Sequence, residues 1–110
     1  MNLLTETLNA LSTYSKTSND VRWVGLKPSY YKHDRLTFYT DWKAFADIAS
    51  FEYDDGYGGN EIDLRLIVVG DDWWLERHEY DGSEWWEFKT TPSKPGRYLA
   101  IINKNDIEEA

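Results

Sequence analysis

The residues here with chemistry within reach are two glutamates that a tight turn sets side by side. Asp81-Gly82 stands midway in Asp71-Asp-Trp-Trp-Leu-Glu-Arg-His-Glu-Tyr-Asp-Gly-Ser-Glu-Trp-Trp-Glu-Phe-Lys89. Asp-Gly between aromatic, β-prone residues predicts a two-residue type I′ hairpin, because both central residues need positive φ. That turn pairs Tyr80 with Ser83, Glu79 with Glu84, His78 with Trp85, Arg77 with Trp86 and Glu76 with Glu87. Leu75 then faces Phe88 and Trp74 faces Lys89. Two adjacent carboxylates can share a proton and act as acid and base, as in glycosidases. On a small hairpin with no evident cleft, Glu76 and Glu87 read instead as an acidic patch, and the chain as a non-enzyme. Like charges directly opposite cost stability, so solvent, a cation or a partner must screen them.

Other catalytic constellations are thin. The histidines are His33 and His78, and there is no cysteine, so a zinc site lacks ligands. No Gly-x-Ser-x-Gly elbow occurs. Asp54 and Asp55, with Asn60 and Glu61 beyond, could offer oxygens to a hard cation such as calcium. The spacing and closing glutamate of an EF-hand are missing. An acidic loop without Gly-Lys-Ser/Thr also disfavours phosphate. The segment therefore reads as a tight glycine turn whose tyrosines pack on the sheet, with no metal and no cofactor.

Alternation along the two hairpin strands, about 72–80 and 83–90, sorts their side chains. Trp73, Leu75, Arg77, Trp86 and Phe88 form the core side, with Arg77 over Trp86. Trp74, Glu76, His78, Tyr80, Trp85, Glu87 and Lys89 form the outer side. Residues 2–16 read as a helix with Leu4, Leu8 and Leu11 on one face. A short strand is expected over 21–26, and a basic, tyrosine-containing loop with Lys27, Lys32 and Arg35 follows. Residues 36–39 read as a second short strand or a lead-in. A helix over 42–50 follows, capped by Thr40 or Asp41 and striped by Trp42, Phe45, Ala46 and Ala49. Ile62, Leu64, Leu66 and Val68 alternate in a central strand over 62–69. A further strand is expected over 97–102, before a tail at 103–110. The sum is a single α+β domain: an antiparallel sheet of four or five strands with two helices on one face.

Composition narrows the partners. The chain has 110 residues, 41% of them hydrophobic, which suits one folded domain with a modest core. The absence of cysteine, of a signal-peptide pattern and of a long apolar run predicts a cytoplasmic protein. The net charge of −8 is uneven. Residues 41–88 hold fourteen acids against Lys43, Arg65 and Arg77, giving −11, while 1–40 carry +2 and 89–110 carry +1. Such a field repels nucleic acid and draws cationic partners, and no membrane contact is expected. It also serves simply to keep an aromatic surface soluble.

Phe51-Glu-Tyr-Asp-Asp-Gly-Tyr-Gly-Gly59, the Trp-Trp hairpin and Val21-Arg-Trp-Val-Gly25 resemble a group of small proteins encoded in phages and prophages of Gram-positive bacteria. The likeness covers roughly residues 20–90 and implies an acidic, phage-borne accessory protein in an infected host, without assigning site residues. Three functions are compatible. The first is an anti-defence protein of the anti-CRISPR kind, docking on a basic, nucleic-acid-holding surface of a host effector nuclease. Asp54, Asp55, Asp71, Asp72, Glu76, Glu79, Asp81, Glu84 and Glu87 would supply charge, with Trp74, Tyr80 and Trp85 as anchors. The second is a binder of a signalling nucleotide, which would stack on the aromatic face. The third is a self-associating structural or regulatory component.

Overall fold

The computed structural model describes residues 1–27, 38–54, 61–94 and 96. Within them lie two helices and a five-stranded antiparallel sheet. Helix α1 is Leu3–Thr13, strand β1 Trp23–Leu26, β2 Tyr39–Thr40 and helix α2 Trp42–Ala49. Strands β3 (Leu66–Val69), β4 (Trp73–Tyr80) and β5 (Ser83–Thr90) follow. The spatial order is β2-β1-β3-β4-β5, so β3 is central. The fold class is the α+β arrangement expected. The expected loop with Lys32, His33 and Arg35, the glycine loop with Asp55 and Asn60, the strand at 97–102 and the tail lie outside the described residues.

The β4–β5 hairpin has the pairing its turn dictates, from Tyr80 opposite Ser83 to Trp73 opposite Thr90. Asp81 and Gly82 have φ of 51° and 84°, both in the left-handed region where glycine is at ease. Alternation then divides the sheet. Val24, Val68, Trp73 and Leu75 face α1 and α2 and form the core with Leu3, Leu11, Phe45 and Ala49. Asp41 caps α2, its carboxylate accepting from the Ala44 N–H at 2.8 Å.

Two elements differ from expectation. Helix α1 ends at Thr13 and buries Leu3, Thr7 and Leu11, while Leu8 is 43% exposed. Thr7 is tolerated inside because its hydroxyl donates to Leu3 O and accepts from the Trp86 indole N–H at 3.0 Å. The strand expected at 62–69 begins only at Leu66. The Asp63 carboxylate accepts from the Arg65 backbone N–H at 2.9 Å, a local turn that competes with strand pairing. Ile62 is nevertheless buried.

Candidate surface on the hairpin

Because both helices cover one face, no described element covers the other face of the sheet. Trp23, Ile67, Val69 and Trp74 lie across its middle, with Tyr39 at one edge and Trp85, Glu87 and Lys89 at the other. Trp23 reaches along β1 over Gly25, where an added Cβ would stand 2.9 Å from the indole and 2.5 Å from Phe38 O. The absent side chain is what lets this ring lie down. Beside it, Leu26, Phe38, Tyr39 and Ile67 line an open, mainly apolar groove of about 590 Å³, with Arg22 and Lys27 at its rim.

Glu76 and Glu87 do stand opposite each other on this face. Their charge, however, is met from within the chain. Lys27, 49 residues from Glu76 in sequence, donates to its carboxylate at 2.9 Å. Lys89 Nζ lies 3.3 Å from Glu87, and the Trp85 indole N–H donates to Glu87 at 3.2 Å. His78 Nε2 sits between the two, 3.2 Å from Glu87 and 3.7 Å from Glu76, without the alignment of a hydrogen bond. Among the described residues two lysines balance two glutamates here, so these four side chains carry no net charge between them. This corrects the expectation of a negatively charged plate.

Burial raises the Glu76 carboxyl, but hydrogen bonding and charge from Lys27, with His78 and Lys89, outweigh it and hold it below the usual carboxylate range. The Trp85 indole, opposed by slight burial and helped by Lys89 and His78, holds Glu87 low as well. Both pKa values are depressed by folding, so both groups stabilise the fold above their unfolded range and lose that contribution as pH falls through the folded values. Thermal stability should therefore fall as pH drops below about 4.3, the ordinary glutamate value. Lys27→Met should flatten that acid limb, and an unchanged limb in a melting series would contradict the pairing.

The remaining acids are dispersed. Asp71 is held low by a bidentate bond from Arg22, at 2.8 and 3.0 Å. Glu84 was expected on the acidic surface but is 4% exposed on the core side. Its carboxylate accepts from the backbone N–H groups of Glu61 and Ile62 at 2.7 and 3.0 Å and from Arg77 at 3.3 Å. Among the described hairpin acids, Asp72, Glu79 and Asp81 have no cationic partner, and all three are exposed. Glu79 and Asp81 flank Tyr80, itself 77% exposed, at the hairpin tip. Glu84 also anchors Glu61 near this end, and the Glu61 carboxylate accepts from the Asp54 N–H at 3.0 Å, bringing Asp54 alongside. The sequence reading overlooked Lys27 and Glu61 as parts of the surface. Lys27 follows β1 with the right alternation for the open face, a signal that was present.

No helix among the described residues is long and apolar enough to cross a membrane. Compared with known protein families, curated proteins and solved structures, the chain matches none.

Proposed function

We propose that this chain is a non-catalytic binding protein of the phage anti-defence kind, which docks its hairpin tip on a basic protein surface. The observation that carries the reading is the tip itself, where Glu79 and Asp81 lack a cationic partner among the described residues and flank the exposed ring of Tyr80. Unpaired surface carboxylates retain a field that steers a cationic surface toward them, while an exposed tyrosine supplies an anchor once contact is made. Elsewhere on the hairpin Glu76, Glu87 and Asp71 have their fields offset by Lys27, Lys89 and Arg22. The resemblance to phage accessory proteins suggests a host effector nuclease, whose nucleic-acid channel is the kind of basic surface that fits.

The test is competition. The protein should displace guide or target nucleic acid from such an effector at low salt and progressively less as salt rises, as expected for charge-driven contact. Glu79→Lys with Asp81→Asn should abolish displacement while lowering the melting temperature only slightly, since both residues are exposed and asparagine tolerates the positive φ that the turn requires at position 81. Displacement that ignores salt, or persists in this variant, rules the tip out.

A further inference from the structure

The open face poses a separate question, because its aromatic surface is left over once the tip is assigned. It joins Trp23, 36% exposed, and Tyr39, 80% exposed, to Trp74, Ile67 and Val69, around charges that cancel. The whole chain carries −8, so two copies repel each other unless they meet through a patch without net charge. A two-fold contact places the same patch on both partners, and charges of both signs on one patch are then what complementarity requires. This face meets both conditions, whereas the acidic tip meets neither.

We propose that the open face is the contact between two copies of this chain, stacked about a two-fold axis parallel to β3. Two sheets packed face to face stand about 10 Å apart, room for interdigitated side chains. The axis lays β4 of one copy over β1 of the other and β5 over β2. Trp74 and Val69 share a row with Trp23, so each Trp74 meets the partner's Trp23, and Ile67 and Val69 pack on their counterparts at the centre. Glu76 comes against the partner's Trp23 ring where it lies across Gly25, and Glu87 comes opposite the Tyr39 hydroxyl, which can donate to it. The groove beside Trp23 is then filled from the partner's β5, on the side of Trp85.

The absence of cysteine makes the arrangement directly testable. Within one copy, Tyr39 and Glu87 sit on opposite edges of the sheet, about 19 Å apart at four strand spacings. In the proposed pair Tyr39 of one copy faces Glu87 of the other. A chain carrying both Tyr39→Cys and Glu87→Cys should be linked into a covalent dimer by a short bifunctional thiol reagent, and neither single variant should be. In solution the wild-type mass should climb from 13.0 kDa toward twice that value with concentration. Tyr39→Asp should hold it at the lower value without loss of folded signal, since that side chain is exposed and sits on a short edge strand. A 13.0 kDa species at every concentration overturns the proposal. So does a dimer that Tyr39→Asp leaves intact, or cross-linking as efficient in the single variants as in the double. The Glu79→Lys/Asp81→Asn tip variant should dimerise as the wild type does, so failure of the tip reading and of this one are separable.

Discussion

Arg77→Met is expected to destabilise the protein by about 3–5 kcal/mol, the cost of stranding buried charge. The Arg77 guanidinium is fully enclosed between the rings of Tyr53 and Trp86, at 5.6 and 4.9 Å from their centres. One arm donates to Glu6 at 2.9 Å, and the other to the Tyr53 hydroxyl at 3.0 Å and to Glu84 at 3.3 Å. Its Nε alone has no acceptor. Tyr53 in turn donates to Glu6, and burial followed by that bond pushes its phenol well above the usual range. Removing the cation takes from the buried Glu84 carboxylate and from the largely enclosed Glu6 the guanidinium that each is paired with. Methionine keeps most of the aliphatic volume, so the loss measured by urea unfolding reports the charge and its hydrogen bonds. Lysine should not restore stability, because a single ammonium cannot lie flat between two rings and fork to three acceptors. Against a total of about 5–15 kcal/mol for a domain of this kind, the variant should be close to unfolding. A loss below about 1 kcal/mol, the scale of a surface ion pair, would show that the cluster is not the internal tie described.

The second large effect is expected from Gly70→Ala. Gly70 joins β3 to β4, and its N–H donates to Trp73 O at 2.9 Å. A Cβ there would fall 2.6 Å from Cζ2 of the Trp73 indole and closer still to Cε2 and Nε1. That ring is buried and stacked on Phe88, so it has nowhere to retreat. The requirement is for space. The left-handed backbone that reserves position 82 for glycine does not apply at Gly70, whose φ is not positive. Overpacking of this sort costs about 1–3 kcal/mol, read as a lower denaturation midpoint at an unchanged slope. Trp73→Phe in the same chain should recover part of it by withdrawing the edge of the indole, whereas no recovery would point to the turn backbone.

The hairpin was legible because one local device determines it. Asp81-Gly82 sets a two-residue turn, and every cross-strand pair follows from counting outward. The same count puts Glu84 on the side of Trp86 and Arg77, so its burial was within reach. In sequence an acid with no visible partner defaults to solvent, and Glu84 takes two of its hydrogen bonds from backbone amides 22 and 23 residues away. Lys27 against Glu76 is the same kind of case, a contact between strands that are not consecutive. Alternation at Ile62 and Leu64 suggested strand because the pattern has no term for Asp63 capturing the Arg65 amide. In α1, Leu4, Leu8 and Leu11 and the observed Leu3, Thr7 and Leu11 are rival stripes. Only the Trp86 indole, brought over by the folded sheet, makes a threonine the better inward residue.

The claim on which the functional reading stands is that usable negative charge resides at the tip and not across the face. Binding of a host effector nuclease by Glu79→Gln/Asp81→Gln and by Glu76→Gln/Glu87→Gln, compared over a salt series, weighs the two directly. The account predicts a sharp loss of affinity and a shallower salt slope in the first variant, with the second close to wild type. Loss confined to the face variant, with the tip variant unaffected, would contradict it.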